Sequence, residues 1–534
     1  MEIAGSAPSA KRGPARFQAP DCPSRAGIAP ALPFRWSRAS IEGGPAMAQT
    51  RFLAVVRVAA LAAALVPPAL ARGKGEMPIT TSSKEARAAF IEGRDHFQNS
   101  ELEAAAPLLD KAIAKDPGFA LAYAYRAFAG GGYPVMRRNV DQAAALADKV
   151  SPGEKHYILA RRAWADHDIA ALASETDALL ALHPSDKNLL LFAGSVRLFS
   201  LADPKGAAQR FQKAIEFDGR YAAAYNMLAY AQMQLGDLAG AERSFKRYIE
   251  LRPGFPNPYD SYAELLMKMG RFDESIAQYE KALAKAPGFV SALAGIGNDQ
   301  TFKGEHAKAR DTYQRMLDAA ANPSMKLEAL SLRAASFLHE GRVDDAIASI
   351  DQRLVLAEKE GLTPAAIQSD LLAALVLHDA GRIPQASRRL EAASRRNAAS
   401  SLPAPLREAF ANEIALGRGF DFVAIGERDA AVALAEKVRA SAEARQDAAQ
   451  LKRVEGLLGV CELEADRPDA ALAHLERADL ENPWFGFQRA VALERKGDAE
   501  AARRAYARIA DWNQNGVPYA LVRGRALAKA RPRG

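Results

Sequence analysis

Residues 222–289 read AAAYNMLAYAQMQLGDLAGAERSFKRYIELRPGFPNPYDSYAELLMKMGRFDESIAQYEKALAKAPGF. The stretch is one unit written twice, 34 residues apart. Tyr225 falls on Tyr259, Leu228 on Tyr262, Ala229 on Ala263 and Gly236 on Gly270; then Leu238 falls on Phe272, Ala241 on Ser275, Phe245 on Tyr279 and Pro253 on Pro287. Tyr225, Leu228, Ala229 and Gln232 share one face of a first helix. Ala241, Phe245 and Tyr248 share the facing side of a second. Gly236-Asp237 breaks the chain between them, because glycine readily takes the positive φ of a sharp turn. Pro253, with no amide hydrogen, stops the second helix. Ala229 and Ala241 are small where the two helices must approach, and Phe245 fills the space beside them. One such hairpin cannot bury its apolar face alone, but stacked neighbours can.

The period, the small–aromatic–proline order and the Gly-Asp or Gly-Arg turn resemble the tetratricopeptide repeat (TPR) family. That resemblance implies an all-α, right-handed superhelical solenoid whose concave face is lined by the first helix of each unit. Working outward, units in the same phase precede and follow. Gly93, Ala105, Leu109, Ala112 and Pro117 mark a first; Ala207, Phe211 and Ala214 a fourth; Gly297, Gly304, Ala309 and Tyr313 a seventh. Later units drift: Gly341-Arg342 and Gly381-Arg382 mark turns, and residues 403–445 read as a longer, irregular helical pair. The signal returns with Ala471, Leu475, Ala478 and Pro483, then Gly497, Ala502 and Tyr506. About twelve units are expected, with a closing helix at Tyr519–Ala530 capping the stack. The divisions are divergent repeats at 86–187, core repeats at 188–325, divergent hairpins at 326–445, repeats at 446–517, and a cap and tail at 518–534. No linker is long enough to split the array.

The N-terminus is organised differently. Residues 1–46 are Pro/Ser/Arg-rich and without period. Met47 is followed by Arg51 and Arg57, an apolar run from Val58 to Val66, Pro67-Pro68 and Ala69-Leu70-Ala71. This is the form of a signal peptide over 47–71, cleaved after Ala71, with 72–85 as a linker. Met47 is then the true initiator and 1–46 an over-extended reading frame; the alternative is a disordered extension before an ordinary apolar helix. The apolar run is short for a membrane span, and no cysteine follows the cleavage site to carry a lipid. Five of the seven net positive charges precede residue 72, since 1–46 hold six basic and three acidic residues and 47–71 two more arginines. The pI of 9.2 is therefore largely an N-terminal effect. It does not argue for nucleic acid, which needs a basic stripe on the folded part. The Arg523–Arg533 tail reads as a solvated helix end.

Little in the sequence points to chemistry. The eight histidines lack ligand spacing, and no metal site or cofactor is expected. Asp166-His167-Asp168 suggests a metal or acid–base cluster but falls where a repeat turn belongs. Gly130-Gly131-Gly132 lacks the Lys-Ser/Thr of a phosphate loop. Cys22 and Cys461 make no disulfide framework, and Cys461 reads as a small buried hydrophobe. TPR enzymes generally carry a separate catalytic domain, and no non-repeat segment here is long enough to be one. A non-enzymatic scaffold is expected.

Function is then expected on the concave face. First-helix residues not used for packing are Asn226, Tyr230, Met233 and Gln234. One repeat on they are Asp260, Glu264, Met267 and Lys268, and one further on Asn298, Thr301 and Phe302. This polar set with Tyr, Met and Phe interleaved suits a peptide or helix of a partner protein. The bland reading is a solvated i,i+4 ladder at Asp260, Glu264 and Lys268 with the Met pair partly in the core. The Lys and Asn of the family's carboxylate clamp are absent from Asn226/Tyr230 and Asp260/Glu264, which disfavours a chaperone C-terminus as partner. The reading is an exported, periplasmic interaction scaffold of a bacterial envelope. The rival is a cytoplasmic regulatory or ligand-sensing module with 47–71 as a buried helix; an enzyme using Asp166 or His167 is a third.

Overall fold

The computed structural model describes residues 76–530, apart from 167 and 446. The expected extension at 1–46 and the signal segment 47–71 lie outside the described residues. Twenty-five α-helices follow one another without a strand among the described residues. They pair in order: α1 (Lys84–Gln98) with α2 (Leu102–Lys115), α3 (Ala120–Arg126) with α4 (Gly132–Ala145), α5 (Pro152–Ala165) with α6 (Ile169–Leu182), and α7 (Lys187–Phe199) with α8 (Pro204–Phe217). Next come α9 (Ala222–Leu235) with α10 (Leu238–Leu251), α11 (Asn257–Lys268) with α12 (Phe272–Lys285), α13 (Val290–Phe302) with α14 (His306–Ala319), and α15 (Pro323–His339) with α16 (Val343–Lys359). The last pairs are α17 (Thr363–Asp379) with α18 (Ile383–Ala399), α19 (Ala404–Ala424) with α20 (Arg428–Ala444), α21 (Ala448–Glu464) with α22 (Pro468–Leu475), and α23 (Pro483–Lys496) with α24 (Ala499–Ala510). Twelve hairpins result, and α25 (Val517–Ala530) closes the chain.

The central hairpin forms for local reasons. Gly236 takes φ 80° at the end of α9, and the Asp237 side chain caps α10 by accepting from the Gly240 amide at 2.8 Å. Ala229, Ala241 and Phe245 are fully buried. Where two helices meet more closely the small residue is glycine: a Cβ on Gly297 would stand 2.4 Å from the Tyr313 ring. Burial of a side chain such as Phe245 stabilises by roughly 1.5–3 kcal/mol, repeated in every unit.

The drift of phase after residue 326 has a simple cause. Helices α15 to α18 are 17 residues long, against 14 in α9 and α10. Equivalent side chains therefore meet at a separation of 38 residues: Arg389 Nη2 reaches Asp351 at 2.5 Å and Asn412 Nδ2 reaches Gln450 at 2.9 Å. The pair expected to be irregular at 403–445 is α19 and α20, a hairpin built like its neighbours on longer helices.

Across successive hairpins, first helices touch first helices: α11 meets α13, and α13 meets α15. The second helices splay apart, so the first helices line the tighter, inner face. Two long-range closures narrow that face. At the N-terminal end, the turn after α1 meets the end of α10: Arg252 pairs with Glu101 at 2.7 Å and Asp95 at 3.0 Å, and the Tyr248 hydroxyl donates to the Asn99 carbonyl at 3.3 Å. At the other end, α25 packs on α24 as a closing helix must, but also lies against first helices α15, α17 and α23. It fills part of the inner face rather than standing at the end of the stack. Arg523, expected in a solvated tail, donates to the Phe302 carbonyl at 3.4 Å, and Arg525 pairs with Asp379 at 2.7 Å.

Candidate functional site: the inner face

The first-helix residues named from the sequence fall on α9, α11 and α13, the central stretch of the inner face. Expected to be spared from packing, Asn226, Tyr230, Met233, Met267, Asn298 and Phe302 are all buried. Gln234, Asp260, Glu264 and Lys268 are half-buried. The burial has two sources. Neighbouring first helices approach closely over small residues, so that Tyr230 stacks edge-on against Phe245 and Met233 joins the same apolar cluster. The C-terminal segment covers the rest. Asn515 Nδ2 donates to Asn298 Oδ1 at 3.1 Å and to the Tyr313 hydroxyl at 3.0 Å. Asn513 Nδ2 lies 3.5 Å from the Lys268 carbonyl. Tyr519 packs against Phe302 with ring centres 5.9 Å apart, and Met267 belongs to the same cluster.

The half-open part is acidic. The Tyr230 hydroxyl donates to Glu264 Oε2 at 3.0 Å and lies 3.2 Å from Ser261 Oγ. Asp260 is not the outer member of a solvated ladder: its Oδ1 is closed to solvent and has no hydrogen-bond partner among the described residues. Burial, reinforced by the neighbouring Glu264 charge, pushes its carboxyl up to about 8. One repeat earlier, Asn226 Oδ1 is likewise buried and unpartnered. Unpaired acceptors of this kind are uncommon in folded interiors and ask for a donor. In the next hairpin burial pushes Asp299 up to about 8 as well.

Sequence reasoning missed the N-terminal part of this face. Tyr230, Glu264 and Asn298 each follow the small packing residue of their first helix, namely Ala229, Ala263 and Gly297. The same step gives Arg94 after Gly93, Tyr125 after Ala124 and Arg161 after Ala160. The signal was present, but hairpins two and three have loops of other lengths and stand out of phase.

The remaining motifs have structural partners. Asp166 pairs with Arg137 at 2.5 Å and with Arg162 at 2.6 Å, and Asp168 caps α6 by accepting from the Ala171 amide at 2.9 Å. Gly130, Gly131 and Gly132 all take positive φ in the turn before α4. Cys461 is fully buried among Leu416, Val438 and Leu457, and burial pushes its thiol up to about 11. Among the described residues no three His, Cys, Asp or Glu side chains gather as a metal site would require, and no helix is long and apolar enough to cross a membrane.

The family model described as tetratricopeptide repeat matches residues 195–256 and 263–324. Those two segments are tetratricopeptide repeats. The two matches contain α8 to α10 and α12 to α14 entire and the second half of α11; of the expected site residues, Asp260 alone lies between them. Among solved structures this chain is similar to the MamA protein, at 22% identity over 31% of this chain and 91% of that one, with a TM-score of 0.28. It is similar to TTC0263, a thermophilic TPR protein in Thermus thermophilus, at 21% identity over 34% and 96%, with a TM-score of 0.29. It is also similar to YrrB, a TPR protein with an unusual peptide-binding site, at 18% identity over 41% and 96%, with a TM-score of 0.26. No curated protein matches the chain. In the general sense, a TPR array is a scaffold for protein–protein interaction.

Proposed function

We propose that this protein is a non-enzymatic adaptor of the bacterial cell envelope that holds a peptide or helix of a partner protein along its inner face. The observation that carries the reading is the central stretch, where Gln234, Asp260, Glu264 and Lys268 stay half-buried above buried acceptors on Asn226 and Asp260 that no group among the described residues satisfies. A partner's backbone N–H groups or a basic side chain would supply the missing donors, and leaving them unmade is costly. Export rests on the sequence from Met47 to Ala71 alone.

The test is site-specific photo-crosslinking in the native host. A photoreactive residue replaces Gln234 on the inner face, with a control at Arg243, which is exposed on α10. A discrete protein captured from position 234 and not from 243 supports the reading. Equal capture at both, or none, removes the inner face as the site. Fractionation of the same cells decides location: recovery in the periplasm with cleavage after Ala71 supports export, and an intact N-terminus in the cytoplasm favours the regulatory or ligand-sensing alternative.

A further inference from the structure

Arg94 and Arg161 occupy the same place in hairpins one and three, and both are half-buried. Neither makes an ion pair among the described residues. Arg161 sits inside a box of rings: its guanidinium carbon is 4.7 Å from the Phe192 ring centre, 4.8 Å from Phe128, 5.1 Å from Tyr157, 5.5 Å from Phe97 and 5.8 Å from Tyr125. The rings come from the first helices of four successive hairpins, α1, α3, α5 and α7, and the turn after α3. Among the described residues its only hydrogen-bond acceptor is the Tyr157 hydroxyl, which takes Nε at 3.1 Å and Nη2 at 2.7 Å. Arg94 stands 5.8 Å over the Phe90 ring and has no hydrogen-bond acceptor among the described residues.

A guanidinium is always charged and carries five N–H donors in its plane. Ring faces offset the charge but accept none of the in-plane donors. One phenolic oxygen takes two of Arg161's five. Neutralising the pair from within would need an anion, and Tyr125, which feels both arginines, does not supply it, because burial holds its hydroxyl proton on. What fits an unpaired planar fork between ring walls is a carboxylate, taken by parallel charge-assisted hydrogen bonds, with an apolar neighbour lying on the rings. The charged groups also differ along the inner face: the central stretch carries Glu264 and Lys268, whereas the first hairpins carry Arg94 and Arg161.

We propose that the inner face of the first four hairpins is a receptor for an acidic residue, flanked by apolar side chains, on the partner peptide. Arg161 grips the carboxylate, Arg94 adds the second positive charge, and Phe97, Phe128 and Phe192 hold the flanking groups. The proposal rests on the scaffold reading and names the chemistry of its partner.

The test is selection of a displayed random-peptide library on the immobilised full chain, followed by affinities for the wild type, R94Q, R161Q and R161K. The expected result is enrichment of Asp or Glu beside aromatic or aliphatic residues. Affinity then falls about 10- to 100-fold in R161Q, the value of a charge-assisted bond left unmade, and R161K does not restore it, because an ammonium has no planar fork. R94Q, whose side chain has a single ring contact to lose, keeps the wild-type melting curve and still weakens binding. Selected peptides without acidic enrichment, or equal affinity for R94Q and R161Q as for wild type, overturn the proposal. Peptides that instead lose affinity on Gln234→Ala or Glu264→Gln sink this site and leave the scaffold reading standing. A selection that yields no binder brings down both.

Discussion

Lowering the pH should loosen the grip of the closing helix on the inner face, through His339. The ring lies between Phe302 and Tyr519, with centres 6.2 and 6.0 Å away, and stacks parallel to His306 at 6.2 Å. Its Nε2 is 3.2 Å from Asn515 Oδ1 in the segment leading into α25. Burial, with the positive charge of Arg523 behind it, lowers its pKa to about 3. In the unfolded chain the value is about 6.5. The folded state therefore binds the proton more weakly than the unfolded state. The stability that His339 contributes is complete above about pH 6.5 and is lost progressively as the pH falls toward 3. At pH 5 the unfolded ring is almost fully protonated and the folded ring almost fully neutral, which corresponds to about 2 kcal/mol lost relative to neutral pH. Urea unfolding at pH 7.5 and pH 5.0, followed by tryptophan fluorescence, measures it. Trp484 and Trp512 report directly, since both pack in the cluster that contains Tyr519. Comparison with His339→Gln isolates the residue: the wild type should lose about 2 kcal/mol more than the variant on acidification. Equal losses in the two proteins would refute the reasoning.

Other perturbations have signs that follow from the geometry. Asp260→Asn should stabilise, increasingly from pH 4 to pH 8, because the folded carboxyl titrates at about 8 and the unfolded one near 3.9; a pH-independent difference in urea midpoint would contradict this. Phe245→Ala empties a fully buried site in the central hairpin and should cost about 3–5 kcal/mol in the same assay. Gly297→Ala forces a Cβ to within 2.4 Å of Tyr313 and should cost about 1–3 kcal/mol, read as a lowered melting temperature. Glu154 is fully buried and accepts from the Thr80 amide at 2.7 Å, the Ser151 amide at 3.0 Å and the Ser151 hydroxyl at 2.7 Å. Glu154→Ala should release residues 76–83 to protease before the helical array is cut, and an unchanged cleavage pattern would argue against this fastening.

How much of this was legible depended on the range of the contacts. The central hairpins were readable because Gly236 and Gly270, or Ala229 and Ala263, answer one local demand at one spacing. The hairpins from 326 onward keep the demand, at Gly341 and Gly381 for example, but their 17-residue helices move the partners to a spacing of 38 and blur the phase. Tyr230 and Glu264 lie on the inner face, yet its coverage was hidden. Arg252 meets Glu101 and Asn515 meets Asn298 across 151 and 217 residues, and contacts at such separations leave no periodic trace. The burial of Met233 and Phe302 follows from packing between first helices and from the returning C-terminal segment, neither of which a single repeat encodes.

The central claim, that a partner is held on the inner face of the solenoid, is tested most directly by hydrogen exchange on the full chain, with and without the protein captured at position 234. The account predicts slower exchange in the first helices α9 and α11 on binding, with the second helices α10 and α12 unchanged. Protection confined to α10 and α12, with α9 and α11 exchanging as in the unbound chain, would place the partner on the outer face and contradict it.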